Sequence, residues 1–115
     1  MTRMVVTDAQ NWYACFGVTP SPANVSGGDF VEEIYIPAPP GRAAIPLSWD
    51  EPDASVRVRY EVDGRVVLDL FRETVSLLTA APGTVIVEYG REGLRGRMHI
   101  ALHPVLAITD SVLRT

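Results

Sequence analysis

The segment from Val56 to Leu68 limits the possible folds more than any other stretch of the chain. Val56, Val58, Tyr60 and Val62 alternate with Arg57, Arg59 and Glu61, then Asp63-Gly64 precedes Arg65 to Leu68. Alternation places successive side chains on opposite faces of a strand. An Asp-Gly pair accepts the two positive φ angles of a tight hairpin turn. The pattern predicts an antiparallel hairpin.

The rest of the chain is read around it. Met4-Val5-Val6 suggests a short first strand. Thr7 and Gln10 have capping-box spacing, which points to a short helix from Asp8 to Phe16 ended by Gly17, with a strand as the alternative because the segment is rich in aromatics. Thr19 to Gly28 is rich in Pro, Asn and Gly and reads as loop. Phe30 to Ile36 reads as a strand and Pro37 to Gly41 as a turn. Ala43 to Trp49 reads as a strand in which Pro46 implies a sheet edge or bulge. From Asp69 the apolar spacing becomes helical: Leu70, Phe71, Val75, Leu77, Leu78 and Ala81 oppose Arg72, Glu73, Ser76 and Thr79. Asp69 as cap and Pro82-Gly83 as stop predict a helix over 69–81. A second hairpin, Val85–Tyr89 and Arg97–Leu102 around a loop at 90–96, precedes a last strand from Val105. The expected fold is α+β and mostly β. It is a single domain over 1–115, with an antiparallel sheet of six or seven strands and the 69–81 helix packed on it.

Composition narrows function. The 115 residues are 47% hydrophobic and 21% charged, enough for one globular core. Cys15 is the only cysteine, so no intramolecular disulfide and no multi-cysteine metal site can form. No secretory h-region or membrane span is legible, which leads to the expectation of a cytoplasmic protein. All ten basic residues are arginine. The lack of lysine excludes a lysine Schiff base or lysine general base, and with abundant Ala, Val, Gly and Pro it suggests a bacterial source. The net charge of −4 is uneven: residues 1–55 carry −5 and residues 56–115 carry +1. The halves either neutralise each other across the sheet or leave an acidic surface suited to a basic partner.

No catalytic constellation emerges. His99 and His103 have a zinc-helix spacing but lie in an alternating segment, where four residues extend about 13 Å. Gly27-Gly28-Asp29 lacks the Lys and Ser/Thr of a phosphate loop. No serine sits in a nucleophile elbow. Cys15 among Trp12, Tyr13 and Phe16 reads as a small core residue. Arg91, Arg95 and Arg97 around a glycine-rich tip suit carboxylate recognition, whereas an acidic domain with few nearby aromatics is a poor nucleic-acid binder.

The expectation is therefore a non-enzymatic binding protein acting through a surface, such as a regulatory partner or a neutraliser of a basic toxin. No cofactor is called for. Its expected partner-binding residues are Glu32, Glu33, Tyr35, Trp49, Asp50, Glu51 and Asp53, with Arg91, Arg95 and Arg97 at the hairpin tip. The alternative is a small-molecule binder or small enzyme with an enclosed apolar pocket bearing Glu88, Tyr89 and His99. An exposed edge strand would also allow a homodimer.

Overall fold

The computed structural model describes residues 4–23, 31–39 and 41–114. In chain order its elements are β1 (Val5–Val6), α1 (Ala9–Phe16), β2 (Ser21–Pro22), β3 (Val31–Ala38), β4 (Ala43–Asp50) and β5 (Ser55–Val62). There follow β6 (Arg65–Arg72), β7 (Val75–Ala81), β8 (Thr84–Arg91), β9 (Leu94–Ala101) and β10 (Ala107–Arg114). Ten strands form two five-stranded sheets, ordered β1-β7-β8-β9-β10 and β2-β3-β4-β5-β6. All pairings are antiparallel except β1 with β7. The fold is α+β and mostly β, but as two layers rather than one sheet of six or seven strands. The helix expected at 69–81 is absent.

That stretch holds β6 and β7 instead, joined through Glu73 and Thr74, the latter at φ +53°. A bulge between Val75 and Leu77 explains the misleading period. The extra residue lets Val75 and Leu78 both face the core although three positions apart, which imitates the i, i+3 spacing of a helix. Backbone pairing then decides: β6 completes the hairpin with β5, and β7 pairs with both β1 and β8.

The hairpin at Asp63-Gly64 forms as expected, with φ of +52° and +77°. The helix at the N-terminus also forms, but Asp8 is its cap: Asp8 Oδ1 accepts from the Asn11 backbone N–H at 2.8 Å. Thr7 Oγ1 accepts instead from the Asn11 side chain, which also donates to the Ala80 carbonyl and so ties α1 to β7. Gly17, at φ +73°, closes the helix.

Three loop assignments shift. Ser21 and Pro22 pair with Glu33 and Glu32 inside the expected 19–28 loop, and β3 runs on through Pro37 and Ala38. The expected 90–96 loop shrinks to the two-residue turn Glu92-Gly93, with Arg91 and Leu94 paired. Gly27, Gly28, Asp29 and Phe30 lie outside the described residues.

Pro46 sits in a central strand, not at an edge. The bond from Asp63 N–H to the Arg42 carbonyl shows that even-numbered β4 residues present their backbone to β5. Pro46 has no N–H to offer there, and the β4–β5 pairing is interrupted at Ile45 and Pro46. The strand tolerates this because its other side still pairs Tyr35 with Pro46 and Ile36 with Ile45.

One core fills the space between the sheets. Ile34, Ile36, Ile45, Leu47 and Val58 from one layer meet Leu78, Val85, Val87, Met98 and Ile100 from the other. From α1, Trp12 enters this core and stacks on Trp49 of β4, ring centroids 5.7 Å apart. α1 thus packs beside β7 and also reaches the second sheet. No helix among the described residues is long and apolar enough to cross a membrane.

Candidate partner-binding surface

A strand with one face in the core must present the other outside. On β3, Glu33, Tyr35 and Pro37 point outward from the second sheet, while Ile34 and Ile36 are buried. On β5 the outward residues are Arg57 and Arg59. Between them, across β4, lies an open groove of about 340 Å³. Glu33, Asp50 and Asp53 line one part of it, and Arg57, Arg59 and Phe71 another.

The turn after β4 places the acids. Asp50 Oδ1 accepts from the Asp53 backbone N–H at 3.1 Å, folding the chain back within four residues. Ala54 closes the turn at φ +52°, an uncommon conformation for a residue with a Cβ. Its carbonyl accepts from Val75 N–H at 2.8 Å, so the crossing from β6 to β7 braces the turn from behind.

The two arginines share one acid. Arg57 Nε and Arg59 Nε lie 3.7 and 3.4 Å from the oxygens of Asp69, and the Arg57 guanidinium sits 5.2 Å from the centre of the Phe71 ring. Among the described residues Glu33, Asp50 and Asp53 have no such ion-pair partner. The groove region therefore carries four carboxylates against two guanidiniums. Phe71, 42% exposed, adds an apolar face beside the charges.

The structure brings together only some of the residues expected from sequence. Glu33, Asp50 and Asp53 converge on the groove, and exposed Glu51 lies in the same turn. Tyr35, 53% exposed, lies further along the outer face of β3, whereas Glu32 is exposed on the other side of that strand. Trp49 is 2% exposed, and its ring is stacked in the core, so it offers no exposed aromatic surface. Arg91, Arg95 and Arg97 belong to the other sheet. Arg97 lies 3.7 Å from Glu88, its directly opposite neighbour. Arg95 shares the outer face with Arg97, and Arg91 points to the other side. The expected acids and the three hairpin arginines thus lie on different sheets.

Glu88, Tyr89 and His99 do not converge. Glu88 and His99 share the outer face of the first sheet, with His99 exposed opposite Ile86 and Thr109. Tyr89 projects from the opposite face, where its ring covers Gly96 and its hydroxyl donates to Asp110 Oδ1 at 2.6 Å. A cavity of about 360 Å³ exists elsewhere, bordered by Cys15, Phe16, Pro37, Ala38, Gly41 and His103. β9 is a strand up to Ala101, so His99 and His103 stand apart along an extended chain. No group of three metal-ligating side chains forms among the described residues.

Sequence reasoning missed Arg57, Arg59, Asp69 and Phe71 as neighbours of the acids. The alternation of β5 already placed both arginines outward. Reading 69–81 as helical concealed that Asp69 and Phe71 face the same way, opposite Arg59 and Arg57.

No family model and no curated protein sequence matches the chain. A solved structure does. It is a chain of a contact-dependent growth inhibition toxin–immunity protein complex from Klebsiella pneumoniae 342. The match covers 98% of this chain and 100% of the other, with a TM-score of 0.75 and 11% sequence identity. The two chains have a similar fold.

Proposed function

We propose that this chain is a non-enzymatic protein-binding module that neutralises or modulates a basic partner through the groove on the outer face of the second sheet. The observation that carries this reading is the convergence of Glu33, Asp50 and Asp53 beside Phe71. Carboxylates around an apolar centre attract and orient a cationic surface, and the aromatic supplies contact area once water is expelled. The similarity in fold to a chain of a toxin–immunity protein complex supports a partner that is itself a protein. A single unpaired cysteine and exclusively arginine cations fit a bacterial cytoplasmic setting for this role.

The test is affinity capture from the native host at low and high salt. It compares wild type with a variant carrying Glu33→Gln, Asp50→Asn and Asp53→Asn. The reading expects one basic protein at stoichiometric yield, released by salt and lost in the variant. No stoichiometric partner, or one held equally by the variant, defeats it.

A further inference from the structure

Among the described residues, half of the backbone hydrogen-bonding groups of β10 meet β9 and the other half meet no strand. Leu102 N–H donates to the Gly83 carbonyl at 2.8 Å, and Gly90 N–H to the Thr74 carbonyl at 3.1 Å. Both bonds continue the β8–β9 and β7–β8 registers. Even-numbered β9 residues therefore bond to β8, and odd-numbered ones bond to β10. Their partners on β10 are Ala107, Thr109, Ser111 and Leu113. Ile108, Asp110, Val112 and Arg114 consequently aim their amides and carbonyls away from the sheet, at its free edge.

That edge is long and carries no proline between Ala107 and Arg114. Val112 and Leu113 are 57% and 68% exposed, and the two charges, Asp110 and Arg114, are of opposite sign and so do not by themselves bar a second copy. We propose that it pairs with a second copy of the chain, β10 against β10, antiparallel about a two-fold axis at Val112. The charge pattern selects both occupant and register. With Val112 facing its own copy, Asp110 of each chain stands opposite Arg114 of the other, giving two opposite-charge pairs. All three positions belong to the set whose backbone groups are free, so the hydrogen-bonding phase and the charge match agree. Centring the axis on Asp110 would instead oppose two carboxylates. Asp110 already accepts from Arg72 and Tyr89, and a carboxylate has about four acceptor positions, which leaves room for Arg114 of the copy.

Sedimentation velocity over a concentration series tests the pairing on the full chain. Wild type should reach twice the monomer mass of 12.6 kDa. Val112→Pro deletes an outward N–H that no β9 bond uses, so it should give monomer with an unchanged far-UV spectrum. Arg114→Asp makes both charge pairs repulsive and should weaken dimerisation roughly tenfold or more. It also carries the test if the proline variant misfolds. Wild type that stays at monomer mass throughout, or an Arg114→Asp variant that dimerises as tightly as wild type, overturns the proposal.

Discussion

Arg72 on β6 donates to Asp110 Oδ2 on β10 through both Nη2, at 2.6 Å, and Nε, at 3.2 Å, joining the free edges of the two sheets. The pair is mostly shielded, with side chains 27% and 25% exposed. It is also charge-assisted, which makes it stronger than a surface ion pair. Asp110→Ala should lower unfolding stability by about 1.5–3 kcal/mol, because it strands the guanidinium and the Tyr89 hydroxyl together. Urea denaturation measures the loss. A double-mutant cycle with Arg72→Ala should show the two changes to be strongly non-additive.

Burial holds the Tyr89 phenol above the usual tyrosine value, the hydrogen bond to Asp110 adds to this, and Arg72 partly offsets it. A group whose folded pKa is raised contributes stability that is fully present below its unfolded pKa. That contribution is lost as pH rises through the folded value. Stability should therefore fall with rising pH above about 10, the unfolded tyrosine range. Tyr89→Phe should remove that component of the decline, as read by denaturation midpoints across an alkaline series.

Tyr89 and Gly96 are a matched pair. They lie directly opposite on β8 and β9, and a Cβ at Gly96 would enter the Tyr89 ring. Gly96→Ala should cost about 1–3 kcal/mol through overpacking. In a Tyr89→Ala background the same substitution should cost little, since the obstruction is gone. Equal costs in both backgrounds would show that the ring does not set the demand for glycine.

Trp49 and Arg42 should mark the extremes of mutational cost. Truncating Trp49 removes the stacking partner of Trp12 from a closed core, and Trp49→Ala should cost about 3–5 kcal/mol. Arg42 lies 3.9 Å from Asp63 with its side chain 86% exposed, so Arg42→Ala should stay within about 0.5 kcal/mol of wild type. Chemical denaturation of both variants checks the contrast.

Much of the fold was legible because strand alternation and turn chemistry are local. The Val56–Val62 pattern with Asp63-Gly64 specified β5, its turn and its outward arginines. Polar cap residues before Ala9 and Gly17 after Phe16 marked the ends of α1, although the cap is Asp8 and not Thr7. The alternation of β3 puts Glu32 and Glu33 on opposite sides, although both were expected at the partner surface. What local pattern could not carry was anything requiring knowledge of a neighbour. Bulges break the period, as at Val75–Leu77, and the spacing that resulted read as a helix. Pro46 was compatible with an edge until β3 supplied the pairing on its other side.

Sequence alone determined that this is a mostly β chain with a hairpin at Asp63-Gly64, a lone cysteine, cations that are all arginine and an acidic first half. These follow from composition and from side-chain geometry within a few residues. The tertiary structure decided that the strands form two layers, that Trp49 is core rather than surface, and that Glu33, Asp50 and Asp53 share one groove while the hairpin arginines occupy the other sheet. The physical reason is that alternation divides a strand into two faces but does not say which face another layer will cover. Burial is assigned only when the sheets pack, and that assignment determines which charges remain exposed to meet a partner.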